Sequence, residues 1–190
     1  MKTKFATFVS TLGHPFLTLP VFIIFLLFST EPVAKAGLLT LLIIGGIFIP
    51  VGLRTLLGVR KGKYTNLDVS DQAQRQQWFI VTTLLLLIVT AIVWITDQNR
   101  TLRLGMICAF SLLLVSQLVN TRVKASMHLA FHTFLGLLIL HMNAVAGAIF
   151  LLFAPLLAWS RLYLKRHVLE EVLVGVVLGG LFGLIFWIIY

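Results

Sequence analysis

Long apolar runs alternate with short polar islands along this chain. Pro15 to about Ser29, Gly37 to Leu57, Trp78 to Ile95 and Leu102 to Val119 carry almost no charge, which predicts four spanning helices. Pro15 suits a first helical turn, where its missing donor costs nothing, and Gly45, Gly46 and Pro50 predict a kink in the second run. The first run lacks a small-residue cleavage site and is followed by Glu31-Pro32, so it reads as a retained helix. From Leu129 to Trp159 there are 31 apolar-rich residues, against roughly 20 needed for one crossing. His141-Met142-Asn143 breaks that run near its middle and predicts two helices with a tight turn. The last apolar run extends from about Val168 to Tyr190, which makes seven segments if each one crosses, the short ones tilted or partly re-entrant. Between them, Met1 to His14 reads as a short polar start, and Thr30 to Ala36 and Thr96 to Thr101 read as turns.

Composition agrees with the pattern. With 59% hydrophobic and 11% charged residues and a mean hydropathy of +1.05, the chain cannot cover a soluble globule with polar surface. The expected fold is all-α: one integral membrane domain over residues 1–190, a transmembrane bundle of six or seven helices. Cys108 is the single cysteine and has no partner for an intrachain disulfide. The net charge of +9 would allow nucleic acid as a partner. The cations flank apolar helices instead of covering one exposed face, so the expected partner is the bilayer and not a nucleic acid.

The polar islands carry the candidate chemistry. Counting crossings brings Met1 to His14, Arg54 to Arg75, Arg122 to His128 and Arg161 to Glu171 to one face of the membrane. That collects Arg75, Lys124, Ser126, His128, Arg161, His167 and Glu171, groups that are costly at a membrane unless paired or bound to a ligand. Within the last island the spacing Ser-Arg-x5-His-x3-Glu sets a guanidinium beside an imidazole, with a carboxylate one helical turn further on, a set suited to phosphate. Glu171, Gly175, Gly179 and Gly183 recur every four residues and share one stripe, which predicts a closely approached neighbouring helix. The segment from Arg60 to Gln77 reads equally as a solvated connector or as part of the site, and Asp68, Ser70 and Asp71 are each candidate caps for a helix running through Arg75. His14, His132 and His141 read as hydrogen-bonded interior groups. A haem or metal reading of His128 and His132 lacks a second pair at comparable depth.

Ser160-Arg161-x5-His167-x3-Glu171 resembles the third signature of the type 2 phosphatidic acid phosphatase (PAP2) superfamily, Ser-Arg-x5-His-x3-Asp. Ala125-Ser126-Met127-His128 is similar to its second signature, Pro-Ser-Gly-His, and Arg75 stands for the arginine of the first, Lys-x6-Arg-Pro. The resemblance implies a PAP2-like core over about residues 60–190. It also departs from the family pattern: Asp68 and Gln76 occupy the first-signature lysine and proline positions, Ala125 and Met127 replace Pro and Gly, and Glu171 replaces Asp. Lys124 is the candidate substitute for the absent lysine.

The same resemblance implies roles. His167 would be the nucleophile that forms a phosphohistidine, Glu171 would fix its tautomer, and His128 would act as general acid and then base. Arg75, Lys124, Ser126 and Arg161 would bind the phosphate oxygens, with no metal or cofactor required. The expected activity is a lipid-phosphate phosphatase acting on a phosphomonoester or pyrophosphate, whose substrate keeps its tail in the bilayer. The rival readings are a PAP2 fold that binds or moves phospholipids without turnover, and a haem- or quinone-linked membrane protein. The resemblance places the chain in a bacterial inner (cytoplasmic) membrane. Of 15 lysines and arginines, 12 lie on the face of the site and 3 opposite, so the positive-inside rule favours a cytoplasmic site, whereas bacterial members of the family usually face outward.

Overall fold

The computed structural model describes residues 1–69 and 71–190. Among them every regular element is a helix: α1 (Lys2–Leu12), α2 (Pro15–Thr30), α3 (Val33–Ile43), a π-helical turn (Ile44–Phe48), α4 (Ile49–Arg60), α5 (Gln72–Ile95), α6 (Arg100–Val119), α7 (Met127–Met142), α8 (Ala144–Leu152), α9 (Ala154–Tyr163) and α10 (Leu169–Ile189). Five helical stretches are long and apolar enough to cross a membrane: Val33–Arg60, Gln72–Ile95, Arg100–Val119, Ala144–Tyr163 and Leu169–Ile189. The pair α1 and α2, bent by 40°, makes a sixth if it counts as one span, and α7 is a shorter apolar helix. The chain is thus a multi-pass helical bundle. Large apolar side chains such as Leu38, Ile149, Leu152, Val177 and Ile188 are exposed on it, as a hydrocarbon solvent requires.

Local sequence explains the breaks. Pro50 has no N–H for the carbonyl of Gly46, and its ring crowds that carbonyl, so the helix widens into the π turn at Ile44–Phe48 where Gly45 and Gly46 resist least. The expected kink is this turn. Asn143 ends α7 and caps α8 by accepting from the Ala146 N–H at 2.9 Å, which is the predicted turn within the long apolar run. That second helix is interrupted once more, between Leu152 and Ala154, with Pro155 in the first turn of α9.

One expectation needs correction. Met1 to His14 is not merely a polar start: α1 buries Ala6, Val9 and Ser10, packs against α9 and sets the Phe5 ring tilted against Trp159. The polar segment before Trp78 is helical from Gln72, and Asp71 is the residue that caps it, accepting from the Gln74 N–H at 2.9 Å. Gln72 and Gln76 there bond Asn120 at the end of α6, so these residues, exposed and half-buried respectively, tie the head of α5 to α6. Ser70, the other candidate cap, lies outside the described residues.

Helix α7 is the axis of the bundle. Met127 to Gly136 are buried without interruption, and α10, α8, α2, α9 and α6 all pack on α7. The predicted glycine stripe faces it. A Cβ built on Gly175 would stand 2.5 Å from the Ser126 carbonyl oxygen, one on Gly179 would overlap the Ala130 carbonyl, and one on Gly183 would meet Leu137 at 2.5 Å. Glycine therefore permits backbone contact between α7 and α10. The Ser126 N–H donates to the Glu171 carbonyl at 2.9 Å, closing that seam at its polar end.

Candidate functional site

At one end of the bundle lie the head of α5, the start of α7, the end of α9 and the segment 164–168 that leads into α10. Each delivers one of the expected residues. Arg161, in the last turn of α9, is 1% exposed and donates from Nη1 to Ser10 Oγ at 2.6 Å and to Asp68 Oδ2 at 2.9 Å; the same nitrogen stands 3.5 Å from His128 Nε2. Arg75, in the first turn of α5, donates to the Val69 carbonyl at 3.2 Å and to the Ala125 carbonyl at 2.8 Å, tying the segment before α5 to the one before α7. Ser126 caps α7 by position, although its hydroxyl makes no capping bond.

His167 and Glu171 form the pair that their spacing predicts. Nδ1 of His167 lies 2.7 Å from Glu171 Oε2, so that nitrogen carries the proton, and Nε2 keeps its lone pair. The same carboxylate oxygen accepts from the Val168 N–H at 3.3 Å and lies 3.5 Å from Lys124 Nζ, which also donates to the Arg166 carbonyl. Burial pushes His167 well below the ordinary imidazole range, and the charges of Arg161, Arg75 and Lys124 push it further the same way. His167 is therefore neutral near pH 7, as a nitrogen nucleophile must be.

Three residues not expected at the site are part of it. Ser10 from α1 holds Arg161. His14 caps α2 through Nδ1, which accepts from the Phe16 N–H at 3.1 Å, and it sets its ring edge-on to His128 with centroids 4.8 Å apart. His14 is thus not only an interior group: its Nε2 lies 3.3 Å from Asp68 Oδ1. Asp68 accepts from both His14 and Arg161. Burial alone would raise its pKa, but the His14 bond and the Arg161 charge overcome this and hold the carboxyl well below its usual range. The sequence signals for these residues were weak: a Ser on the buried stripe of a short amphipathic helix, a cap residue before Pro15, and an acid where the family motif has lysine.

Ring nitrogens of His14 and His128 and an oxygen of Asp68 lie within 4.8 Å of one another, a grouping that invites a metal ion. The hydrogen bonds argue for a different role. Because His14 Nδ1 accepts from Phe16, the neutral ring carries its proton on Nε2, directed at Asp68; a cation on Nε2 would displace that proton and break the α2 cap. Arg161 already supplies the positive partner of Asp68. The other two histidines point elsewhere. His132 bonds the Phe150 carbonyl at 2.9 Å and stacks on that ring, and His141 sits among Phe186, Trp187 and Tyr190. Among the described residues, His132 and His141 are thus engaged with different partners from those of His128.

The site contains more positive than negative charge. Arg75, Lys124 and Arg161 face Asp68 and Glu171, and two buried polar atoms, Arg161 Nε and Ser126 Oγ, have no hydrogen-bond partner among the described residues. Buried donors of this kind are matched by a polyanionic oxygen ligand. The PAP2 superfamily model matches residues 140–190. The stretch contains Ser160 to Glu171 and all of α10, so the resemblance is borne out where the third signature lies; Arg75 and the Ser126-His128 island lie upstream of the matched residues. No curated protein and no solved structure matches the chain. The matched superfamily makes a phosphatase-type family the functional frame for the site.

Acid should weaken the fold through two of these groups. A histidine with a depressed folded pKa contributes stability that is fully present above about pH 6.5, its unfolded value, and declines as pH falls below it; Asp68 contributes in the same sense below about pH 4. The melting temperature in detergent is expected to drop between pH 7.5 and 4.5, and to drop less in His167→Gln. Equal slopes for parent and variant would show that His167 is not the group taking up the proton.

Proposed function

We propose that this chain is a membrane lipid-phosphate phosphatase that hydrolyses a phosphomonoester or pyrophosphate through a phosphohistidine. One observation carries the reading: His167, with Nδ1 committed to Glu171 and its lone pair left on Nε2, feels the charges of Arg75, Lys124 and Arg161 beside Ser126 Oγ and Arg161 Nε, which have no hydrogen-bond partner among the described residues. In the first step Nε2 attacks phosphorus, the P–O bond to the leaving group breaks, and the leaving oxygen takes a proton from His128, which enters the step as the imidazolium stabilised by the bound phosphate dianion. In the second, His128 removes a proton from water, the water oxygen attacks phosphorus, and the P–N bond breaks to release inorganic phosphate and restore His167. The cations and the Ser126 hydroxyl stabilise charge on the equatorial oxygens in both steps.

The surroundings support a lipid substrate. The site lies at the end of an apolar bundle, and a groove of about 430 Å³ lined by Phe16, Leu17, Gly52, Thr55 and Leu67 reaches Asp68 from the outer face of α2 and α4. Phosphate release from detergent-dispersed lipid phosphates, measured with chelator present, tests the activity. Release from no member of a panel of phosphomonoesters and pyrophosphates would favour the rival reading, a phospholipid-binding protein without turnover. The Asp68 carboxylate on Arg161 is the observation on that side.

The charge asymmetry supports a cytoplasmic site in a bacterial inner membrane, which puts Tyr190, one crossing beyond Glu171, on the outer side. A C-terminal reporter active only outside the cytoplasm is expected to be active. Activity of a cytoplasm-only reporter there would reverse the orientation.

A further inference from the structure

Among the described residues, Asp68 is the carboxylate in direct contact with Arg161, which lies in the stretch that the family model matches. Its Oδ2 takes a hydrogen bond from Arg161 Nη1 at 2.9 Å and its Oδ1 faces His14 Nε2 at 3.3 Å, so both oxygens are held by groups that would equally hold a phosphate. The peptide that carries it is tensioned. Val69, the next residue, is β-branched yet has φ 46°, and its carbonyl is pinned by Arg75 Nε at 3.2 Å. Asp68 also lies on the wall between two cavities. One, of about 490 Å³, is the more polar of the two, with Ser10, Asn66, Arg161 and Arg166 in its lining; the other is the groove of about 430 Å³ beside α2 and α4.

From this geometry we propose that Asp68 is a resident carboxylate occupying the Arg161 side of the phosphate cradle, and that an oxyanion binds by exchange, taking Arg161 as Asp68 leaves it. The inference rests on the phosphatase reading and adds to it a self-inhibitory contact. Two anions cannot share one guanidinium nitrogen without repelling each other, so the cradle in this conformation is closed to a phosphate dianion. Release of Asp68 opens the wall between the cavities. The polar one then takes the headgroup phosphate while the groove takes the start of an acyl or prenyl tail. His14 is the latch: its Nε2–H holds the carboxylate, and its Nδ1 is anchored at the head of α2.

The test is orthovanadate binding to the full-length chain in detergent, by calorimetry, for the parent, Asp68→Asn, His14→Asn and Arg161→Gln. Asp68→Asn keeps the shape and removes the charge, and it should bind vanadate at least about tenfold more tightly. His14→Asn retains an oxygen for the Phe16 cap but is too short to reach Asp68, and it should shift affinity in the same direction by less. Arg161→Gln should lose binding. If Asp68→Asn binds no more tightly than the parent while Arg161→Gln still loses vanadate, Asp68 is a structural partner of Arg161; the inference is then overturned and the phosphatase reading stands. If Asp68→Asn does not yield a monodisperse, cooperatively melting protein, His14→Asn decides, unchanged or weaker affinity overturning the proposal. Vanadate binding by none of the proteins at millimolar concentration would overturn both the inference and the phosphatase reading.

Discussion

Alanine in place of His167 is expected to lower phosphate release from lipid phosphates by at least about 10³-fold, with folding intact. In the proposed mechanism Nε2 of this side chain, close enough to Arg161, Arg75 and Lys124 to feel their charges, is the attacking atom, so its loss removes the nucleophile and leaves the cations in place. His128→Ala should be damaging to a lesser degree, by about 10²–10⁴-fold, because general acid–base assistance is lost while the nucleophile remains. A phosphohistidine is a phosphoramidate, stable in base and labile in acid. Brief reaction of the parent with a lipid phosphate labelled in the phosphoryl group, followed by alkaline quench, should therefore leave label on the protein, and His167→Ala should leave none. Undiminished phosphate release by His167→Ala would remove the mechanism altogether.

The second large effect is expected far from any charge, on the seam between α7 and α10. Gly179→Leu forces a side chain into the Ala130 carbonyl, where backbone and not a flexible side chain must move. Overpacking of this kind costs about 1–3 kcal/mol. The loss of activity should be greater than that cost implies, because α7 carries His128, α10 carries Glu171, and their separation pulls the general acid from the nucleophile. Gly180 supplies the control. It lies on the same helix with nothing within 4 Å of a built Cβ, so Gly180→Ala should leave activity unchanged and leave the melting temperature in detergent equal or slightly raised. Equal behaviour of the two variants would mean that the glycine stripe does not set the spacing of the site.

Asp68 connects the site to the N-terminal part of the chain. Through Ser10 and His14, α1 and the head of α2 touch the guanidinium that α9 brings in and the carboxylate of the segment before α5. Changes in α1 should thus be felt at Arg161, although α1 holds none of the signature residues. Arg75 plays a comparable part: its two carbonyl bonds fasten the peptide of Val69 to that of Ala125, so it both charges the cradle and closes the segment over it.

The sequence by itself determined the all-helical membrane architecture, because apolar runs of spanning length leave the backbone no other way to satisfy its hydrogen bonds. It also determined the local pairs. His167 with Glu171 is set by one turn of chain geometry, the turn at Asn143 by its capping side chain, the break at Ile44–Phe48 by Pro50, and the close seam by glycine at every fourth position of α10. These are decided within a few residues. The grouping of Arg75, Lys124, Ser126, His128 and Arg161 was legible only through crossing counts and a family resemblance, which give a common end of the bundle but no contacts.

Only the tertiary structure decided which groups touch. Asp68 and Arg161 are 93 positions apart in sequence and Ser10 and Arg161 are 151 apart, and no periodicity reports on pairs at such separation. Whether a carboxylate sits on Arg161 depends on how a short segment before α5 folds over the start of α7 and the end of α9. The motif residues point to a proposed phosphate cradle; the fold places the Asp68 carboxylate on Arg161.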